Sequence, residues 1–403
     1  MLLARCSQPT AGKPLLFLDF VRLLLPLLLV LPLSGSPPGI VHILDEELQR
    51  NFSILKQKAD PPPYFMSYEV TEEESQIINA SLGAINSTGK SHNRYLDITI
   101  RVGSPKLDNY HILRGQRARF TPGAILPLDD VPDAVRRRVW LETDNTYRAA
   151  ARRLIEIKSD EQVKVAAEDT SDDFSREEPS TQFEIPPEAH FADAEWLKRV
   201  RKWSGAFSAY PGVLNSNIVL VVQRETKFLI NTEGTQVSHG RTFATISINA
   251  YGKASDGMDL GSTRSFEAAD LGRLPRPEVI DAAVKQVGSD LTSLLRAPTV
   301  EPFVGPAILS GGAAGVFFHE IFGHRIEGHR QKDEGEGQTF TKSVGAPVLP
   351  DFLSVISDPT RKTLGSIDLN GSYSYDDEGV KARPITVVDN GILKTFLMSR
   401  TPI

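Results

Sequence analysis

Leu44, Leu48, Phe52 and Leu55 recur at intervals of three and four, so one face of residues 44–55 is apolar and the spacing predicts a helix. Pro61-Pro62-Pro63 ends it. Residues 64–70 and 95–102 then read as strands, the second alternating Leu96, Ile98 and Ile100 against Asp97, Thr99 and Arg101. A second helix is predicted over residues 131–157, with Asp129 or Asp130 placed to cap it and Pro132 tolerable in its first turn. Residues 159–188 turn polar and acidic, with Asp172-Asp173, Glu177-Glu178 and three prolines, and read as a long solvated loop or linker. Beyond it, residues 218–222, 227–231 and 236–251 read as antiparallel strands, the last two joined by a turn at Thr232-Glu233-Gly234. A helix is predicted over 277–295. The short apolar run 305–310, followed by Gly311-Gly312, reads as a strand feeding a further helix that starts near Ala313.

Composition narrows the partners. A chain of 403 residues, 40% hydrophobic and 24% charged, has the make-up of a globular protein of two or three domains. Its formal net charge of -6 leaves no electrostatic footprint for DNA or RNA, so no nucleic-acid partner is expected. The single cysteine, Cys6, leaves no thiolate in the body of the protein, so any metal site must be built from nitrogen and oxygen. Arg5, Lys13 and Arg22 precede an apolar run over residues 23–33, and Ser34-Gly35-Ser36 suits signal-peptidase cleavage. That run falls short of the roughly 20 residues a membrane-spanning helix needs. Residues 1–36 are therefore expected to be a signal peptide, and the protein exported to a periplasmic or extracellular space. A mis-assigned leader would leave it cytoplasmic, and membrane association would come only through an uncleaved leader.

The candidate chemistry sits on the helix after Gly312. His319, Glu320 and His324 supply two metal ligands and a base within a turn and a half. Zinc helices space their histidines four apart; here the interval is five, which on a regular helix leaves the side chains about 140° apart. A π-bulge, or a break made easier by Gly323, would bring them together. Glu327 and His329 lie close enough in sequence to complete a shell, but the charged run after them reads as a solvated face. A second constellation, Asp376-Asp377-Glu378-Gly379, could bind a hard cation, fix a substrate amine or orient a ligand; ordinary turn chemistry is the preferred reading.

The stretch Ala313-Ala314-Gly315-Val316-Phe317-Phe318-His319-Glu320-Ile321-Phe322-Gly323-His324, with Ile326-Glu327-Gly328 after it, resembles the signature of the TldD/PmbA family of metallopeptidases. Asp376-Asp377-Glu378-Gly379 with Asn390-Gly391-Ile392-Leu393, and Tyr68-Glu69-Val70, match further pieces in the same order. The resemblance implies an α+β fold: an N-terminal α+β domain over residues 37–128, a central domain over 129–255 containing the acidic loop 159–188, and a β-rich C-terminal metallopeptidase domain over 256–403 that carries the metal-binding helix. It implies Zn2+ held by His319 and His324, with Glu320 as the catalytic base, as in the TldD-like members that bear the histidine motif. It further implies a homodimer, or a heterodimer with a PmbA/TldE-like subunit, enclosing a cavity in which small, unfolded or extended peptides are cut. The family's further zinc ligand is a cysteine toward the C-terminal end; the chain stops at Ile403 without it, so the last domain is expected to be cut short. The alternative is a catalytically inactive scaffold or assembly subunit of a peptidase complex.

Overall fold

The strand alternation does not stop where the apolar residues do. In the computed structural model, which describes the backbone of residues 2–6 and residues 39–113, 118, 123–161, 171–332 and 338–403, the two predicted N-terminal strands continue through polar sequence until they meet. They form β1 (Pro63–Ser81) and β2 (Ala84–Ser104), joined by a tight turn at Leu82 and Gly83, both with positive φ. The central strands are as long: β3 (Asn215–Asn231) and β4 (Gln236–Lys253), followed by β5 (Asp259–Ala268). All pair antiparallel in the order β2-β1-β3-β4-β5. At the usual rise per residue, β1 is about 60 Å long. The apolar run 23–33 and the small residues 34–36 of the leader lie outside the described residues.

Two hydrophobic cores share one face of this sheet. At one end Met66, Tyr68, Val70, Leu96, Ile98 and Ile100 pack under helices α1 (Gly39–Lys58) and α2 (Pro132–Glu161). At the other, Ile78, Ile218, Leu220, Ile246 and Ile248 pack under α3 (Ala194–Gly205) and α4 (Pro277–Leu294). Between the cores the same face carries charge. Glu72 pairs with Arg94 and His92, Glu74 with Arg224, and Arg94 also with Asp130. Cross-strand ion pairs thus replace apolar contacts where no helix covers the sheet. Asp130, one of the two residues read as caps for α2, is engaged by Arg94.

The C-terminal unit rests on the opposite face. Leu229 and Val237 of the sheet cluster with Tyr375. Its own small core gathers Phe322, Ile326, Val355, Val387, Val388, Leu393 and Phe396 around the short strands Leu353–Ser357, Ile385–Asp389 and Ile392–Leu393, with the Leu2–Cys6 backbone at the edge. The mixed α+β class expected of the chain is what its elements form. Among the described residues, no helix is long and apolar enough to cross a membrane.

Two readings of the sequence are corrected. Residues 305–310 form no strand; the whole segment 301–310 is irregular and exposed. An apolar run becomes a strand only where another strand accepts its hydrogen bonds, and among the described residues none pairs with it. The acidic segment 159–188 is not simply solvated: α2 runs to Glu161, residues 181–183 pair parallel with β4, and Asp173 and Phe174 are buried. Asp173 accepts from the Asp108 backbone N–H at 3.0 Å, and the Phe174 ring lies against the guanidinium groups of Arg101 and Arg400 at 3.8 and 3.9 Å.

Candidate metal centre

Helix α5 (Gly311–Ile321) opens on small residues and closes on the histidine motif. It is apolar yet buries no residue. Its C-terminal end is anchored instead by Phe322, buried in the small core with its ring 5.1 Å from that of Phe318 and 5.8 Å from that of Phe340. At Phe322 the backbone leaves the helix (φ -126, ψ -47), and Gly323–Ile326 forms a 3-10 turn. This break resolves the five-residue interval. The His319 and His324 rings come to 4.5 Å between centroids, and ligand-capable atoms of His319, Glu320 and His324 all lie within 4.8 Å of one another. Between the two devices considered for closing the interval, the backbone uses a helix break next to Gly323 and no π-helical turn.

The orientation of His324 follows from its neighbours. Its Nδ1 lies 2.8 Å from Glu327 Oε1, and a carboxylate only accepts, so this contact places the ring proton on Nδ1. Nε2 is left with its lone pair on the side of Glu320, whose Oε2 is 3.8 Å away. Glu327 in turn accepts from Arg330 Nε at 2.6 Å and lies 3.4 Å from His329 Nε2. Burial pushes the Glu327 carboxyl up, but the hydrogen bonds from Arg330 and His324 outweigh it and hold the group below its ordinary value. His329 meets the cluster at Glu327. The part of Glu327 as the partner of the second histidine was readable from its position three residues after His324, one helical turn on.

The acidic constellation is a turn. Asp376 Oδ1 accepts from the backbone of Glu378 and Val380 at 3.0 and 2.8 Å, and Gly379 takes φ 79. A Cβ on Gly379 would stand 2.9 Å from Leu229 Cδ2. Its carboxylates are spent on Ser399, Lys227 and Arg400.

Residues 304–402 match the family model described as the PmbA/TldA metallopeptidase C-terminal domain. The chain is 27% identical to a metalloprotease of Methanothermobacter thermautotrophicus over 190 residues, 47% of this chain and 40% of that one. It is 32% identical to a zinc metalloprotease TldD homolog of Saccharolobus solfataricus over 95 residues, 24% of this chain and 20% of that one. In fold it is similar to TldE from Thermococcus kodakarensis, with TM-score 0.57 and 14% identity, covering 88% of this chain and 69% of the other. Residues 304–402 thus resemble the C-terminal domain of the PmbA/TldA metallopeptidases. It spans about two fifths of the length of the Methanothermobacter relative.

Two further features of the molecule lie away from the histidines. A cavity of about 680 Å³ opens between β4 and the 359–382 loops, lined by Lys227, His239, Arg241, Tyr373 and Asp377 among others; none of His319, Glu320 or His324 lines it. Beside it Lys227 bridges Glu69 and Asp377 at 3.2 and 2.5 Å. Burial opposes the charge on Lys227, but the two carboxylates more than offset it and raise its pKa. Burial pushes Glu69 up to about 7 despite Lys227. The second feature is a grouping of Glu72, Glu74 and His92 in the charged waist of the sheet. Its carboxylates are engaged by Arg94 and Arg224, so it is an ion-pair network of the sheet.

Proposed function

We propose that this chain carries the centre of a zinc-dependent peptidase acting on small, unfolded or extended peptides. The observation that carries the reading is the convergence of His319, Glu320 and His324 within 4.8 Å at the end of α5. Two imidazole nitrogens are donors that zinc accepts, a carboxylate beside them can serve as base, and Glu327 at Nδ1 of His324 leaves Nε2 to face the ion. His319 and His324 would hold the ion, which when bound supplies Lewis acidity to a scissile carbonyl and to a nearby water. Glu320, exposed beside them, takes the proton of that water and returns it to the leaving amine. The names of the relatives as metalloproteases, one of them a zinc metalloprotease, support the same assignment.

The protein would work with a TldE-like subunit or with a second copy of itself; the fold likeness to TldE supports the first. We also propose export, on the apolar run 23–33 and the small residues after it; N-terminal sequencing of the protein recovered from its host should begin near residue 37. The deciding experiment measures metal content and hydrolysis of an unfolded peptide together. About one zinc per chain is expected, lost in His324→Ala. Glu320→Gln should keep the metal and lose hydrolysis by about a hundredfold or more. A metal-free parent protein, or a Glu320→Gln enzyme at full rate, would overturn the reading.

A further inference from the structure

The three carboxylates of the 376–379 turn grip three different places. Asp377 takes Lys227 of β3, Asp376 Oδ2 accepts from Ser399 Oγ at 2.6 Å, and Glu378 Oε2 accepts from the Arg400 backbone N–H at 2.7 Å. Ser399 and Arg400 lie just past Leu397, and Leu397 is where the histidine-bearing turn is fastened. Gly328 N–H donates to Leu397 O, and Leu397 N–H donates to Ile326 O, both at 2.8 Å. The approach is close enough that a Cβ on Gly328 would stand 2.5 Å from Met398 Cγ.

Arg400 anchors the other side. It is 1% exposed, donates to Ser175 O at 2.6 and 3.2 Å, and pairs with Glu233 at 2.7 Å. Glu378 Oε1 also lies 3.6 Å from Nη2 of the equally buried Arg101 on β2. A continuous path of hydrogen bonds and ion pairs therefore runs from the long sheet, through the acidic turn and residues 397–400, to the segment that sets His324 against His319 and Glu320.

We propose that this turn is a brace for the histidine cluster, with Glu378 and Asp376 as positioning residues that touch neither metal nor substrate. Its role is mechanical: it fixes residues 397–400, and these fix the Gly323–Ile326 turn. The proposal rests on the metal-site reading only where zinc is measured.

The test is hydrogen exchange on the full chain without metal, combined with zinc affinity from competition with a chelator. In Glu378→Ala the amides of Gly328 and Leu397 should exchange about tenfold faster, with those of β3 and β4 unchanged. Zinc affinity should fall by about tenfold. Glu378→Gln, which keeps an oxygen for the Arg400 N–H, should restore most of both; general loosening of the structure would not be rescued so selectively. Unchanged exchange at Gly328 and Leu397 in Glu378→Ala overturns the brace whatever zinc does. A parent protein that binds no zinc but shows the expected exchange pattern overturns the metal reading and leaves the brace standing. If Glu378→Ala does not fold, Ser399→Ala at an exposed position tests the Asp376 arm: faster exchange at Leu397 supports the brace, and unchanged exchange overturns it.

Discussion

Helices α4 and α5 are both rich in apolar residues, and they are used in opposite ways. α4 buries Ile280, Ala283, Val284, Val287, Gly288 and Leu291 against the sheet, a continuous stripe at helical spacing. α5 carries Val316, Phe317 and Ile321 exposed, and meets the small core through the half-buried Phe318 and, just past its end, Phe322. The first arrangement builds stability. The second leaves the histidine cluster on an element with few buried contacts, where a helix break can bring two histidines together. In this chain the sheet with its two cores is the frame, and the histidine cluster sits on a lightly packed attachment to it.

The contrast is sharpest if the frame is cut. Ile246→Ala removes a fully buried side chain from the α3/α4 core and should cost about 2–5 kcal/mol in a denaturant titration. A loss below about 1 kcal/mol would mean that this core is looser than its burial implies. The pH dependence probes the seam between frame and attachment. Glu69 has its pKa raised from 4.5 to about 7 by burial, so the folded state holds a proton that the unfolded state has released. Its contribution to stability is full below pH 4.5 and is lost as pH rises through about 7. Glu69→Gln should flatten the stability profile across that window; an unchanged slope would show that Glu69 titrates normally. Gly379→Ala forces a Cβ onto a left-handed residue against Leu229 and should cost about 1–2 kcal/mol, read as a lower melting temperature. The smallest effect is expected on α5. Phe317→Ala should alter stability by no more than about 0.5 kcal/mol, since the ring is half exposed. A larger loss would place α5 in the frame after all.

The legibility of the chain follows the same division. α4 and the apolar ends of the long strands were readable because each buries a regular stripe. The middles of β1 and β2 were not: Glu72 pairs with His92 and Arg94, and Glu74 with Arg224, across strands, and such pairing leaves no hydrophobic alternation to read. α3 was legible too, with Trp196, Leu197, Val200 and Trp203 at helical spacing behind the Asp193 cap, though no element is predicted there from the sequence. The histidine motif and the turn at Asp376 were visible as local patterns. What they touch was not, because Leu397, Ser399, Arg400 and Arg101 come to them from distant sequence.

The same long strands run under both cores, and this governs how the molecule comes apart. β1 and β3 each pass through the α1/α2 core, the charged waist and the α3/α4 core in one ladder without a register shift, and β2 follows them up to a shift at Asn79/Ala80. A slip of one residue at either end would turn every side chain on that strand to the wrong face at the other end as well. Neither core can therefore melt and re-form in a register of its own. The two should unfold together in a single transition, with the β1–β2 hairpin, closed by its short turn, the natural place for the ladder to begin to zip.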